Sequence, residues 1–155
     1  MKIFEFDSEL WLDRPRREVF PFFADPLNLE TITPPWLRFK ITTPAPLEMR
    51  QGVLIDYRLR LHGFPLKWQS KITVWDPPHR FVDEQVRGPY RLWRHEHRFE
   101  EKGGGTLVFD HVEYAVPGGF LIQKVLVGCE VARIFEFRRG KLREIFSGRS
   151  AVGGR

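Results

Sequence analysis

Residues 88–114 constrain the fold more than any other part of the chain, because they alternate like two strands joined by a glycine-rich turn. One face of the first strand carries two aromatic rings and two imidazoles: Trp93, His95, His97 and Phe99. Such a mixture of apolar and polar rings is more typical of a cavity wall than of a sealed core. The hairpin therefore predicts a sheet with a lined hollow on one side.

The length of the turn decides which face of the second strand points inward. The two candidate faces are Val108, Asp110, Val112 and Tyr114 on one side, and Leu107, Phe109, His111 and Glu113 on the other. A four-residue loop, 102–105, gives the inward pairs Trp93–Tyr114, His95–Val112, His97–Asp110 and Phe99–Val108. On the outer face the same register pairs Arg94 with Glu113, which is an attractive cross-strand contact.

A loop of only three residues, 103–105, would shift the pairing by one position. His97 would then face His111, and His95 would face Glu113, a cluster able to hold a metal ion. We favour the four-residue loop, because it puts opposite charges on the solvent-exposed face of the sheet and apolar residues on the buried face. It predicts a hydrogen-bonded pair of His97 and Asp110 in a cavity wall, in which Asp110 fixes the tautomer of His97, and no metal site.

Length and composition indicate one globular domain. The chain has 155 residues, of which 42% are hydrophobic, and this is enough for one core. The single Cys129 excludes an internal disulfide and a cysteine-based zinc site. Neither a signal-peptide pattern nor an uncharged stretch of about 18 residues is present, so we expect a soluble, cytoplasmic protein.

The net charge of +5 raises the question of a nucleic-acid or anionic membrane partner. Acidic and basic residues are interleaved along the chain, which favours a solvated surface over a binding patch. The same holds for the C-terminal third, where Glu130, Glu136 and Glu144 separate the basic residues Arg133, Arg138, Arg139, Lys141, Arg143 and Arg149. We expect no nucleic-acid partner and no integral membrane association, and leave open a transient contact with a membrane surface.

The remaining patterns predict the element order. Strands are expected at 2–12, 36–42, 52–61, 66–74 and 81–86, with two short helices at 13–24 and 27–32, the first capped by Asp13. Apolar residues at steps of three and four predict one long helix over 120–146. An antiparallel sheet covered by such a helix is an α+β fold. Residues 1–147 would form one domain, and residues 148–155 a loose tail.

Several short patterns together resemble a known superfamily. They are Phe81-x-Asp83-x-Gln85, Gly88-Pro89-Tyr90, Trp93-x-His95-x-His97-x-Phe99, and Gly104-Gly105-Thr106 followed by Asp110. Over residues 1–147 the chain resembles a bacterial ligand-binding branch of the START-like, Bet v 1-like superfamily, also called the polyketide cyclase/dehydrase and lipid transport group. The resemblance implies a helix-grip fold, in which a curved seven-stranded sheet wraps around the C-terminal helix and leaves a cavity. It assigns no catalytic residue, because the superfamily contains carriers, receptors, cyclases and co-chaperones.

Ten residues are candidates for ligand binding, on their strand faces and on the family pattern: Tyr57, Trp68, Phe81, Asp83, Gln85, Trp93, His95, His97, Asp110 and Tyr114. Asp83 and Gln85 share the face of Phe81, although the opposite face of that strand, Val82, Glu84 and Val86, could also point inward. We expect a small hydrophobic or aromatic ligand, lipid or polyketide-like, with no cofactor, bound by a monomer or homodimer.

Two other functions remain open. A cyclase or dehydratase needs a base beside a carbonyl and a donor for the enolate. His97 with Asp110 could be the base, and His95, Tyr57 or Tyr114 the donor. The third alternative is a protein-interaction module whose cavity has no physiological ligand.

Overall fold

The computed structural model describes residues 1–118, 122 and 127–147. In this part of the chain, seven strands form one antiparallel sheet: β1 (Phe4–Leu12), β2 (Lys40–Ile41), β3 (Leu54–Leu61), β4 (Phe64–Asp76), β5 (Arg80–Arg87), β6 (Leu92–Lys102) and β7 (Gly105–Ala115). Their order across the sheet is β1-β7-β6-β5-β4-β3-β2. Strands β2 to β7 thus form a meander, and β1 pairs with the last of them.

The described helices lie between β1 and β2 and after β7. They are α1 (Arg16–Ala24), α2 (Asn28–Thr31), a 3-10 turn (Pro35–Leu37) and α3 (Gly128–Phe146). Helix α3 has 19 residues and is therefore about 28 Å long. Its predicted start at residue 120 lies outside the described residues, as does the predicted tail at 148–155.

Helix α3 lies across the curved sheet, as the helix-grip prediction requires. The buried stripe of the helix has steps of four, three and four residues: Val131, Phe135, Arg138 and Leu142. Val131 and Phe135 pack with Val112 and Tyr114 of β7, whereas Leu142 joins a second cluster near the first helices. The predicted α+β fold is confirmed.

The end of the sheet nearest α1 is filled with aromatic side chains. Phe20 of α1 contacts Trp75, Phe81 and Phe99, at ring-centre distances of 5.6, 6.2 and 5.2 Å. Phe20 and Phe99 are almost fully buried, and burial of such a side chain contributes about 1.5–3 kcal/mol. These contacts anchor α1 against the sheet.

The favoured register of the β6–β7 hairpin is confirmed. Lys102 pairs with Gly105, and His97 lies opposite Asp110. Gly103 and Gly104 between them have φ angles of 61° and 81°, which glycine adopts without strain and which match the twist of a tight hairpin. The face with Val108, Asp110, Val112 and Tyr114 is the buried one. The predicted outer pair also forms, with Arg94 Nη1 3.5 Å from Glu113 Oε1.

Three local predictions were wrong. Helix α1 begins at Arg16 after an N-cap Pro15 that offers no side-chain bond, because the chain bends at 12–14 and leaves Asp13 before the helix. The expected strand at 36–42 is reduced to Lys40–Ile41, since the prolines before it favour a 3-10 turn that ends at Arg38, with φ 47°. In β4 the pairing shifts between Ile72 and Val74, so Trp75 instead of Val74 packs into the core.

Candidate functional site

A cavity of about 170 Å³ lies between the sheet and the helices. Helix α3 contributes Val131, Ile134, Phe135 and Arg138 to its wall, and the segment with α1 and α2 contributes Phe22, Phe23, Leu29 and Ile32. Strands β3 to β6 and the loops beside them supply the rest. The volume is close to the roughly 150 Å³ that accommodates a benzene molecule in an apolar protein cavity.

Seven of the ten predicted site residues line this cavity: Tyr57, Trp68, Phe81, Asp83, Trp93, His95 and His97. The other three lie outside its wall. Asp110 is buried behind His95, and Tyr114 is buried among Phe4, Tyr90 and Trp93. Gln85 bonds both the backbone N–H and the carbonyl oxygen of Tyr90, at 3.1 and 2.7 Å. It thereby holds the loop between β5 and β6, where a Cβ at Gly88 would collide with it.

Aromatic rings on β3, β4 and β6 form one side of the cavity. Tyr57 stacks on Trp68 at 5.8 Å between ring centres, and Trp93 meets Trp68 edge-on at 5.6 Å. Ser70 satisfies the polar atoms of the first two rings: Trp68 Nε1 donates to Ser70 Oγ at 3.0 Å, and the Tyr57 hydroxyl shares a 2.9 Å hydrogen bond with it. Burial raises the pKa of Tyr57 well above its ordinary value, so its hydroxyl stays protonated.

The two imidazoles of β6 stack on each other beside these rings. The ring centres of His95 and His97 are 3.7 Å apart, with 27° between their planes. Phe81 stacks on the outer side of His97 at 4.2 Å, and Phe135 of α3 meets His95 edge-on at 5.5 Å. The rings are therefore held in place by aromatic neighbours on both sides, and both imidazoles are almost fully buried.

The hydrogen bonds of the imidazoles differ from the prediction. His95 Nε2 lies 2.7 Å from Asp110 Oδ1, and His97 Nε2 lies 2.7 Å from Asp83 Oδ2. The predicted His97–Asp110 bond is thus wrong, with 3.6 Å between His97 Nδ1 and Asp110 Oδ1. Because the two rings lean together to stack, each reaches the carboxylate that lies opposite the other ring in the sheet. The carboxylate that fixes the tautomer of His97 is therefore Asp83 and not Asp110.

Both carboxylates are ionised at neutral pH. Burial raises the pKa of Asp83 and of Asp110, but the imidazole hydrogen bonds and the nearby positive charges outweigh it, and each pKa lies below its ordinary value. Burial also lowers the pKa of His95, helped by the charge of His97 and opposed by Asp110. At pH 7 His95 is therefore neutral and donates its Nε2–H to the Asp110 carboxylate.

Neither ring nitrogen of His97 is free toward the cavity. Its Nε2 is bonded to Asp83, and its Nδ1 is buried with no hydrogen-bond partner in the described part of the chain. Asp83, whose side chain is 19% exposed, is the ionised carboxylate on this wall of the cavity. The prediction that His97 and Asp110 act together as a base lacks both the hydrogen bond between them and the open nitrogen.

Asp83, His95 and His97 are also of the types that bind metals, and one atom of each lies within 4.8 Å of the others. The stacked rings, however, hold their nitrogen lone pairs in nearly parallel planes. One ion would need both rings to rotate and the bonds to the carboxylates to open. The arrangement fits a hydrogen-bonded network better than a set of converging ligands.

Arg138 is the functional candidate that the sequence analysis missed. It was grouped with the solvated basic residues of α3, but only 8% of it is exposed, and it lines the cavity. Its neighbours follow the expectation: Arg133 pairs with Glu130 at 3.8 Å, and Lys141 with Glu144 at 3.6 Å. The signal was present in the helical spacing, since Arg138 is three residues after Phe135 and four before Leu142.

No helix among residues 1–118, 122 and 127–147 has the length and apolar character needed to cross a membrane.

Solved structures with the same fold cover almost the whole chain. The Zhui aromatase/cyclase from a Streptomyces species has a TM-score of 0.75 at 17% identity, with 99% of each chain covered. Protein Ms6760 from Mycobacterium smegmatis has a TM-score of 0.70 at 15% identity, covering 96% of this chain and 98% of that one. The major latex-like protein 151 from Panax ginseng has a TM-score of 0.69 at 12% identity, covering 94% and 98%. At such identities these structures establish the fold alone.

The sequence itself carries the assignment to a family. No curated protein sequence matches the chain. A sequence model described as polyketide cyclase / dehydrase and lipid transport matches residues 12–134, which include the sheet from β2 to β7 and the cavity-lining histidines. The chain therefore belongs to the polyketide cyclase/dehydrase and lipid transport family.

Proposed function

We propose that this protein binds a small hydrophobic molecule with an aromatic ring in the cavity between the sheet and α3. The observation that carries the proposal is a space of about 170 Å³ lined mainly by aromatic and aliphatic side chains, with a few buried polar groups among them. Ligand sites in proteins have this composition. Membership of the polyketide cyclase/dehydrase and lipid transport family also supports the binding of a small hydrophobic molecule.

The volume limits the size of the ligand. A molecule of about one ring fits a cavity slightly larger than one that holds benzene, whereas a long acyl chain or an extended polyketide does not. An unfilled cavity costs about 24 cal/mol per Å³, so a ligand that filled this one would recover about 4 kcal/mol. The loss of translational and rotational freedom on binding offsets much of this gain, so tight binding requires a polar contact as well.

The aromatic wall is suited to such a ligand. The polar atoms of Tyr57 and Trp68 are already bonded to Ser70, so these rings expose apolar faces without an unpaired donor. Trp93 crosses Trp68 edge-on at 5.6 Å, and Tyr90 packs against both rings, at 5.5 Å from Trp68 and 4.8 Å from Trp93. Offset or edge-on contacts with these rings would add to the gain from burial.

A cyclase or dehydratase is the second candidate. The observation in its favour is the pairing of Asp83 with His97 on the cavity wall, at 2.7 Å. Two features weigh against it. The sealed Nδ1 of His97 cannot take a proton from a substrate, and a carboxylate with a lowered pKa is a weak base. Loss of turnover in the His97→Ala variant, with binding retained, would favour the enzyme over the carrier.

Titration with ethylbenzene tests the binding proposal, because this probe matches the cavity in size and has no polar atom. Binding to the wild-type protein would be followed by ligand-observed NMR. Ile134→Trp places an indole in the cavity and should abolish the signal. Ala132→Trp adds the same ring to the exposed side of α3 and should leave binding unchanged.

Equal binding of ethylbenzene by Ile134→Trp and Ala132→Trp would show that the probe binds at a site outside the cavity. Absence of binding to the folded wild type, together with no co-purified molecule in native mass spectrometry, would instead favour an interaction module without a ligand.

A further inference from the structure

We infer that Arg138 is the polar anchor of the cavity, and that the natural ligand is an aromatic compound carrying a neutral carbonyl-type oxygen. This inference rests on the proposed ligand-binding function and names the class of ligand. It starts from a cation placed on the buried stripe of α3, where the neighbouring stripe positions are Val131, Phe135 and Leu142.

The Arg138 side chain has donors without acceptors. Among the residues that the structure describes, no hydrogen bond or ion pair to its guanidinium is formed, and its Nε is buried without a partner. The guanidinium carbon lies 4.9 Å from the ring centre of Phe135, which shields one side of it. A guanidinium carries five N–H donors, and burying them unpaired is costly. The cavity is the direction from which an acceptor can arrive, because Arg138 lines it.

The nearby carboxylates do not fulfil this role. The charge of Arg138 helps to lower the pKa of Asp83 and of Asp110, so its field reaches both carboxylates. Neither carboxylate comes within the 4.0 Å of an ion pair with Arg138, since each is bonded to an imidazole instead. Arg138 therefore supplies a distant counter-charge and keeps its donors available.

The charges around the cavity favour a neutral acceptor over an anion. Asp83 on the cavity wall and Asp110 behind it are ionised, and His95 is neutral. A ligand carboxylate would add a third negative charge to two that are already buried. A ketone or similar carbonyl oxygen accepts from the guanidinium without that repulsion, while its ring occupies the aromatic part of the cavity.

Three probes of matched size test this inference: ethylbenzene, acetophenone and benzoate. Their Kd values would be measured by ligand-observed NMR for the wild type, for Arg138→Met and for Arg143→Met. The last variant is the control, because Arg143 is exposed on the same helix and its replacement removes the same charge. Thermal unfolding of each variant would establish that it is folded.

We expect the wild type to bind acetophenone about tenfold more tightly than ethylbenzene, as a charge-assisted hydrogen bond predicts. Arg138→Met should remove this preference, so that the variant binds acetophenone and ethylbenzene with equal Kd values, and Arg143→Met should retain it. Benzoate should bind no more tightly than acetophenone. The infrared C=O stretch of bound acetophenone should shift to lower frequency in the wild type, and not in Arg138→Met.

Equal affinity of the wild type for acetophenone and ethylbenzene would overturn the inference and leave the binding proposal intact, and this comparison needs no variant. A preference for acetophenone that survives in Arg138→Met would overturn it as well. Benzoate binding tenfold more tightly than acetophenone would refute the neutral class of ligand. Failure of all three probes to bind would instead refute the proposed function on which the inference rests.

Discussion

His97 bonds to Asp83, which is diagonal to it across β5 and β6, although Asp110 lies directly opposite it on β7. His95 makes the mirror-image choice and bonds to Asp110. The cause is the stacking of the two rings at 3.7 Å, which tilts each ring toward the other's partner. The result is a compact network of two imidazoles between two ionised carboxylates, of which only Asp83 and the imidazoles border the cavity.

This arrangement predicts different roles for the two carboxylates. Asp110→Asn should lower the free energy of unfolding by about 1–2 kcal/mol, because a charge-assisted hydrogen bond to His95 becomes a neutral one. It should leave the affinity for ethylbenzene unchanged, since Asp110 lies behind the wall. Asp83→Asn should cost a similar amount of stability and also change the affinity, because Asp83 lines the cavity. Urea unfolding and ligand titration of both variants measure the two quantities; the same change of affinity in both would contradict the assignment.

The lowered pKa of His95 predicts that the fold weakens in mild acid. In the unfolded chain this imidazole takes up a proton near pH 6.5, whereas the folded protein resists it to a lower pH. Below about pH 6.5 the unfolded state therefore binds more protons, and the free energy of unfolding falls by up to about 1.4 kcal/mol per pH unit. Asp83 and Asp110, whose pKa values are also lowered, add a loss of the same sign below about pH 4.

Urea unfolding between pH 8 and pH 5 measures the histidine part of this effect. His95→Gln should be less stable than the wild type at pH 8 and should lose less on acidification. His111→Gln is the matched control, because His111 is partly exposed on the outer face of β7 and contacts the exposed Asp7. A slope that is unchanged in His95→Gln would assign the effect to another group.

The register of the hairpin could be predicted because several independent signals agreed. Gly103 and Gly104 allow a tight turn, and Arg94 and Glu113 pair on the outer face. Most inward positions carry apolar, aromatic or imidazole side chains. Each signal depends on the order of residues along two adjacent strands. A one-residue slip would have damaged all of them together. Three of the predicted cavity-lining residues, Trp93, His95 and His97, followed from the same alternation.

The partners of the imidazoles and the role of Arg138 could not be predicted in the same way. Strand register places Cα atoms, whereas the choice between Asp83 and Asp110 depends on how the His97 ring tilts. Arg138 stands in a run of basic residues, and composition alone assigns the run to solvent. Only the helical phase relative to Phe135 marks it as buried, and that phase becomes decisive once α3 is known to cross the sheet.

Glycines in two different environments predict opposite responses to the same substitution. Gly104→Ala should lower the free energy of unfolding by about 1–2 kcal/mol, because φ is 81° there and a Cβ disfavours that conformation. Gly140→Ala should raise it by about 0.5–1 kcal/mol, since this position is within α3 and a Cβ would meet nothing within 4 Å. Chemical denaturation of the two variants provides the comparison. A destabilising Gly140→Ala would mean that α3 is not a regular helix at that point.

The stacked imidazoles predict that the protein needs no metal ion to fold or to bind its ligand. Their lone pairs lie in nearly parallel planes, and Nε2 of each ring is already bonded to a carboxylate. Treatment with a strong chelator should therefore leave the melting temperature and the Kd of ethylbenzene unchanged. Addition of Zn²⁺ at a stoichiometric concentration should not raise the melting temperature, since a ligand that binds only the native state must stabilise it. A rise that is lost in His97→Gln and retained in His111→Gln would show that the two rings rotate to form a metal site after all.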